Sequence, residues 1–378
     1  MPKLNVLVTG GAGFIGTHLV RRLLHEGCTV AVLDNFNPQI HASSQELASD
    51  LAGHVELFRD DVRDRDLLRR ALINRDVVVH FAAETGTGQS MYEVVRYQEV
   101  NIGGTAALMD SLINDSKSRV EKIVVASSRA IYGEGKYRCP QHGIVYPGPR
   151  GIDQLRQNQW EPVCPQCSVP CAPMATDEAS PPSPLSFYGL TKYVQEQMTL
   201  MFARTRGASG YALRYQNVYG PGQSLSNPYT GILAIFSQLA NDGSTIEIFE
   251  DGLESRDFVF IDDVVDATWR CIQREGEFVE SLNVGSGKRT TVLDVAREVA
   301  RTLEAECKIT VTGAYRHGDI RHNSADLGRI QGALGFEPRF SFREGLRIFL
   351  EWAATQKPST LRYECSLNEL RERGLLHG

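Results

Sequence analysis

From Asn5 onward, short apolar runs rich in Val, Ile and Leu alternate with longer stretches whose apolar residues recur at helical spacing. Residues 5–8, 29–33, 55–58, 76–81 and 122–126 read as strands, and their near-continuous apolar character suits strands buried on both faces. Residues 17–26, 65–74 and 93–114 carry the periodicity of helices with one apolar side. Strand and helix in regular alternation predict a parallel sheet with helices on both faces. The alternation halts over 135–184, which is rich in Pro, Gly, Cys and Gln, and resumes with a helix over 188–206 and a strand over 211–214. So long a stretch of plain loop is uncommon inside a compact domain. Residues 135–184 are therefore read as an insertion held by an internal staple.

Beyond 214 the texture shifts to longer loops. Residues 1–214 are expected to form one domain, and 215–378 mainly a smaller second one. Strands over 257–261 and 281–284, within 255–285, should return to the sheet or brace it. Helices over 292–303 and 342–355 follow, and the tail from 356 is polar with weak periodicity.

The 378 residues leave room for two domains and a sizeable core. The formal net charge of −6 argues against nucleic acid as a partner, since phosphate binding needs a basic surplus. It does not exclude a small anionic ligand held by local arginines. No apolar run approaches the ~18 residues of a membrane helix. Met1-Pro2-Lys3 leads straight into the first strand without a signal-peptide pattern, so a cytoplasmic protein with no membrane partner is expected. Cys139, Cys164, Cys167 and Cys171, four of the eight cysteines, crowd the insertion. In a reducing compartment such clustering points to a metal before disulfides.

The chemistry begins with Thr9-Gly10-Gly11-Ala12-Gly13-Phe14-Ile15-Gly16, between the first strand and first helix. Glycines there let the backbone approach a pyrophosphate, which the helix N-terminus attracts. This context marks a dinucleotide fingerprint and makes the predicted fold a Rossmann-type doubly wound parallel α/β sheet. Gly10, Gly13, Phe14, Ile15 and Gly16 are its expected cofactor contacts. Asp34 ends the second strand, where an acidic group hydrogen-bonds ribose hydroxyls. Asn35 and Phe36 follow it instead of an arginine, so a ribose 2′-phosphate would find no counterion. The expected cofactor is NAD. Asp61 and Val62 are candidates to contact adenine, with a cap on the following helix as the alternative for Asp61, and Phe81, Ala82 and Ala83 are expected to admit the cofactor at the end of the fourth strand.

Tyr188 and Lys192 lie four residues apart in Tyr-Gly-Leu-Thr-Lys, one turn apart on a helix. A free phenol titrates near pKa ~10, and a neighbouring ammonium favours the phenolate that a general base requires. Ser128, at the end of the fifth strand, is placed to hydrogen-bond the substrate oxygen whose proton Tyr188 takes. In the insertion, Cys139-x-x-His142 and Cys164-x-x-Cys167 form two ligand pairs at knuckle spacing. Four such ligands satisfy a closed, structural zinc, whose binding energy would replace a missing core. Cys171 is the alternative to His142.

Together these residues resemble the extended short-chain dehydrogenase/reductase family, specifically its NAD-dependent sugar-nucleotide epimerases and dehydratases. The resemblance covers nearly the whole chain, including Asn101-Ile102-Gly103-Gly104-Thr105, Arg214-Tyr215-Gln216-Asn217-Val218-Tyr219-Gly220-Pro221-Gly222 and Arg256-Asp257-Phe258-Val259-Phe260. It implies that Ser128, Tyr188 and Lys192 are the catalytic set, with Lys192 also on the nicotinamide ribose and Asn101 among the cofactor residues. Asn217, Arg256, Arg316 and Asp319 fall where such enzymes bind the nucleoside diphosphate. Glu84, Thr85 and Arg129 are implied at the sugar. The helices 93–114 and 188–206 are implied to pair across a two-fold axis in a homodimer. Dehydratases of this family carry Asp-Glu directly after the hydroxyl residue; Arg129-Ala130 stand here, the pattern of a 4-epimerase. The insertion and Glu84–Tyr92 resemble the segments of dTDP-L-rhamnose 4-epimerases, implying a nucleotide-linked 6-deoxyhexose as substrate. A UDP-hexose or UDP-hexuronate 4-epimerase is the nearest alternative. A non-enzymatic dinucleotide sensor is another, but it would have no use for Ser128, Tyr188 and Lys192.

Overall fold

In a computed structural model, residues 3–41, 46–225, 231–316, 318–356 and 363–378 are described, the side chains of 363–366 excepted. Seven strands form the central sheet: β1 (Asn5–Thr9), β2 (Thr29–Asp34), β3 (Glu56–Arg59), β4 (Val77–His80), β5 (Lys122–Ser128), β6 (Ser209–Tyr215) and β7 (Val279–Val284). Their order is β7-β6-β5-β4-β1-β2-β3, and every pairing is parallel. Alternate residues serve opposite layers. Val6 and Val8 pack with Leu19, Val20 and Leu23 of the helix Phe14–His25. Leu7 joins Leu68, Leu108, Leu112 and Phe202 on the other face. Burial on both sides explains the unbroken apolar runs. The order reverses between β1 and β4, which opens a crevice at the carboxyl ends of the strands, the usual ligand position in such sheets.

Two readings change in detail. Residues 93–114 are not one helix: Val94–Tyr97 is followed by a wider π turn, Gln98–Gly103, and then by Gly104–Ile113. Gly104 sits so close to Val62 that a Cβ would approach its Cγ1 to 2.5 Å. The strand predicted over 257–261 is Phe258–Phe260, and it pairs with Asn217–Tyr219 in a separate ribbon, while 279–284 supplies the edge strand of the main sheet. A helix over Ile232–Asn241, hidden among apparent loops, packs on Val292–Thr302.

The insertion is a small structure of its own. Tyr137–Cys139 pairs antiparallel with Gly143–Val145 and with Ala172–Pro173. Its core is Tyr137, Val145 and buried cysteines. Leu155 and Trp160 instead pack on Tyr315, outside the insertion. No helix among the described residues is long and apolar enough to cross a membrane.

Candidate active site

The glycine loop is fixed by close approach. Gly10 has φ +69°, and a Cβ there would lie 2.7 Å from the Ala82 nitrogen; a Cβ on Gly16 would lie 2.3 Å from the Gly10 oxygen. Gly13 starts the first helix without a side-chain cap, which leaves amide donors facing the crevice. Asp34 is buried, and its carboxylate accepts from the amides of Ala12 (3.0 Å) and Phe36 (2.9 Å). It therefore clamps the glycine loop as well as lining the crevice.

That crevice encloses about 550 Å³ and is walled by Gly10, Gly13, Phe14, Ile15, Gly16, Asp34, Asn35, Asp61, Val62, Phe81, Ala82 and Ala83, with Glu84 and Thr85. Ser128, Tyr188 and Lys192 close its inner end. An uncapped helix start, glycines with no space for a side chain and a carboxylate at the second strand end fit a dinucleotide. Gln216, Val218 and Gln223 line the same crevice from after β6; the motif 214–222 contains the first two, but no cofactor role was expected of any of the three.

Tyr188 lies at the start of the helix Phe187–Arg206, capped by the Ser186 hydroxyl on the Gly189 amide. A Cβ on Gly189 would sit 2.5 Å from the Ala130 oxygen, so this glycine lets the helix press onto the end of β5. The press brings the Ser128 hydroxyl close to the Tyr188 phenol. Withdrawal from water pushes the Tyr188 pKa up, while the Ser128 hydrogen bond and the Arg129 charge pull it down. Lys192, expected from its spacing to favour the phenolate, is not among these influences. The Lys192 ammonium donates to Gln195 Oε1 at 2.7 Å and is lowered to about 7 by burial. A lysine so placed is a hydrogen-bond donor at the crevice floor.

Behind it runs a buried polar chain that motif reading did not find. Gln195 Nε2 donates to Thr105 Oγ1 at 2.8 Å and lies 3.3 Å from His80 Nε2; His80 Nδ1 meets Thr9 Oγ1 at 2.7 Å. Burial and the Lys192 charge lower His80 to about 3, so the imidazole is neutral at physiological pH. The signal available was spacing: Gln195 follows Lys192 by three residues on one helix face. Asn101, expected at the cofactor, lies behind the wall. Its amide oxygen accepts from the Glu84 amide (2.7 Å), and its Nδ2 donates to the Glu84 carbonyl (3.1 Å) and to Thr191 Oγ1 (2.9 Å). The π turn gives Asn101 that inward position, and with it a hold on Glu84 and on the tyrosine helix.

A second cavity of about 110 Å³ is lined by Arg129 and Ser186, chain neighbours of Ser128 and Tyr188, and by Arg316 and Asp319, together with Met91, Leu185, Leu370 and Leu375. Burial would raise the Asp319 carboxyl, but Arg256, Arg316, Arg150 and Arg129 together hold it below the usual range. Arg256 donates to Asp319 Oδ1 at 3.1 Å and to the Ile320 carbonyl at 2.8 Å. Buried Arg316 Nε and Asn217 Oδ1 have no hydrogen-bond partner among the described residues. Convergent guanidinium groups, with the Arg316 Nε donor unspent, suit an anionic diphosphate.

The insertion gathers Cys139, His142, Cys164 and Cys167, whose ligand atoms all lie within 4.8 Å of one another. Cys139 Sγ is 3.7 Å from Cys167 Sγ and 3.6 Å from His142 Nδ1, and Cys164 Sγ is 3.5 Å from the same nitrogen. A tetrahedral zinc with Zn–S ~2.3 Å and Zn–N ~2.0 Å has S···S edges of about 3.8 Å and S···N edges of about 3.5 Å. The geometry fits that ion. Cys171 stands outside the group and donates to the Val169 carbonyl at 3.5 Å, so His142 is the fourth member.

Comparison with known proteins agrees with this arrangement. Residues 6–149 and 166–285 match the NAD dependent epimerase/dehydratase family. The dTDP-L-rhamnose 4-epimerase of Burkholderia thailandensis is 41% identical over 93% of this chain and 95% of its own. The UDP-glucose 4-epimerase of Mycolicibacterium smegmatis is 30% identical over 92% of this chain and 98% of its own. Among solved structures, the UDP-glucose 4-epimerase of Thermotoga maritima with UDP-glucose superposes with a TM-score of 0.74 at 30% identity, covering 93% of this chain and 99% of that one. That of Thermus thermophilus, solved with NAD, gives 0.73 at 27% identity, covering 94% and 100%. Fold, crevice and sequence together place this chain in the NAD-dependent epimerase/dehydratase family of the short-chain dehydrogenase/reductases.

Proposed function

We propose that the protein is an NAD-dependent 4-epimerase of a nucleoside-diphosphate sugar, acting on a nucleotide-linked 6-deoxyhexose of the dTDP-L-rhamnose or dTDP-6-deoxy-L-talose type. One observation carries the reading: Ser128 and Tyr188 line a dinucleotide crevice while their chain neighbours Arg129 and Ser186 line an arginine-bearing cavity, with Arg129-Ala130 in place of a dehydratase acid pair. The 41% identity to a dTDP-L-rhamnose 4-epimerase supports the choice of sugar.

Gly10, Gly13 and Gly16 would hold the pyrophosphate of NAD, Asp34 the adenosine ribose, and Lys192 the nicotinamide ribose. When bound, NAD supplies the acceptor and donor of the C4 hydride. Tyr188, as phenolate, accepts the proton of the C4 hydroxyl through contact shared with Ser128 as C4 is oxidised. The same phenol returns the proton to the ketone oxygen once the sugar has turned and C4 is reduced from its other face. Arg316, Arg256 and Asn217 hold the diphosphate during that rotation. The sum of the two half-reactions is redox-neutral, so the cofactor is expected to stay bound. Incubation with a panel of dTDP- and UDP-linked hexoses, followed by NMR at C4, tests the reading; inversion of a UDP-hexose or UDP-hexuronate alone would replace it with the nearest alternative.

Two further features belong to the proposal. The insertion holds one structural zinc on Cys139, His142, Cys164 and Cys167, a closed set with no open position for catalysis. The protein is a homodimer through the helices around 94–113 and 187–206. Val95, Leu190 and Met201 on these helices are 67%, 45% and 66% exposed, an apolar stripe that a two-fold contact would cover.

A further inference from the structure

The C-terminal segment, silent in the sequence, folds back over the second cavity. Its strand Leu376–His377 pairs antiparallel with Tyr315–Arg316, and the His377 ring stacks on Tyr315 at 5.3 Å. At its other side the Tyr92 hydroxyl donates to Glu369 Oε2 at 3.0 Å, and the Arg373 guanidinium lies 4.1 Å over the Tyr92 ring. Leu367, Leu370 and Leu376 are buried together against Phe249. The helix Tyr363–Glu372 is thus moored both to the loop after β4 and to the strand that carries Arg316.

This mooring places Leu370 and Leu375 in the cavity wall beside Met91 and Leu185, while the charged lining is Arg129, Arg316 and Asp319. The lining joins these charged groups and the hydroxyl-bearing Thr87 and Ser186 to an apolar side of Met91, Leu185, Ile320, Leu370 and Leu375. A hydroxyl seated on the apolar side would give up water without finding a partner, whereas a methyl would gain by burial. We propose that Leu370 and Leu375 are specificity-determining residues that receive the C6 methyl of a 6-deoxyhexose. The inference rests on the reading of this site as a nucleotide-sugar 4-epimerase and adds to it the part played by the C-terminal segment.

The test compares kcat/KM for a 6-deoxyhexose and for its 6-hydroxy counterpart on the same nucleotide. A hydrophobic pocket separates such pairs by roughly 10- to 200-fold, and the wild type should fall in that range. Leu370→Asn and Leu375→Asn should each reduce the ratio about tenfold, chiefly through a higher KM for the 6-deoxy sugar, with bound NAD retained. Leu370→Thr offers a gentler polar change if either asparagine variant fails to fold. Leu370→Met should keep the preference. A ratio unchanged in variants that retain NAD, or equal losses on both sugars, would overturn the inference and leave the epimerase reading standing. No turnover of either sugar by the wild type would overturn both.

Discussion

Arg150 is one of several insertion residues that hold the segment around Glu250 and Asp319, and replacing it tests how much that hold contributes to stability. Its guanidinium makes two 2.8 Å bonds to Glu250, one of 2.9 Å to the Asp319 carbonyl and one of 3.2 Å to the Trp160 carbonyl. The side chains of Arg150 and Glu250 are 2% and 5% exposed. Removing one member of a buried pair typically costs ~3–5 kcal/mol, because the other charge is left without compensation. Arg321 still reaches Glu250 at 3.0 Å in Arg150→Met, which argues for the lower end. Glu134, 3.5 Å from Arg150 Nε, adds little. Burial already raises it to about 7 against the pull of Arg150, so it would take a proton instead of staying charged. The expected loss is about 3 kcal/mol, near a 150-fold change in the unfolding constant. Equilibrium urea unfolding reads it, and Arg150→Met with Glu250→Leu should recover much of the deficit. Since Asp319 loses an anchor, KM for the nucleotide sugar should rise while bound NAD is unchanged. A loss below about 1 kcal/mol, within the range of exposed ion pairs, would refute the argument.

Tyr188→Phe keeps the ring and removes the ionisable oxygen, so turnover should fall by the ~10²–10⁴-fold typical of general-base loss while NAD stays bound; near-normal turnover would exclude Tyr188 as the base. Arg129→Met removes a charge that favours the Tyr188 phenolate. The phenol then keeps its proton to higher pH, and the ascending limb of the kcat profile should move upward; an unmoved limb would show that Arg129 does not act on the base. Metal analysis should find close to one zinc per chain, lost in Cys164→Ser with Cys167→Ser, and a metal-free wild type with an ordered insertion would rule the ion out. Light scattering should give a dimer, and Met201→Glu should shift it toward monomer.

Much of this was readable in the residues, for identifiable reasons. Strands buried on both faces leave continuous apolar runs, so the inner strands could be located within a residue or two, and the largely exposed edge strand β3 was placed from Val55, Leu57 and Phe58. Asp34, Ser128 and Tyr188, singled out by position, do line the crevice, and the glycine loop was legible because close backbone approach permits few residue types there. The π turn was not, since its wider winding serves a contact between Asn101 and Glu84 that only the folded chain brings together. The same holds for Lys192. Four-residue spacing put it near Tyr188, but the spacing could not show that Gln195 would draw the ammonium aside. The C-terminal helix escaped notice because its apolar residues pack against Phe249 and its Glu369 accepts from Tyr92, both more than a hundred residues away.

The central claim is that C4 is oxidised and reduced again within one site by a cofactor that never leaves. A nucleotide-linked 6-deoxyhexose carrying deuterium at C4, incubated with the purified protein and no added cofactor, tests this most directly. The account predicts a C4-inverted product that retains the label at C4, with no solvent hydrogen gained at C4 or C5. Loss of the label to solvent, exchange at C5, or a requirement for stoichiometric NADPH would contradict it.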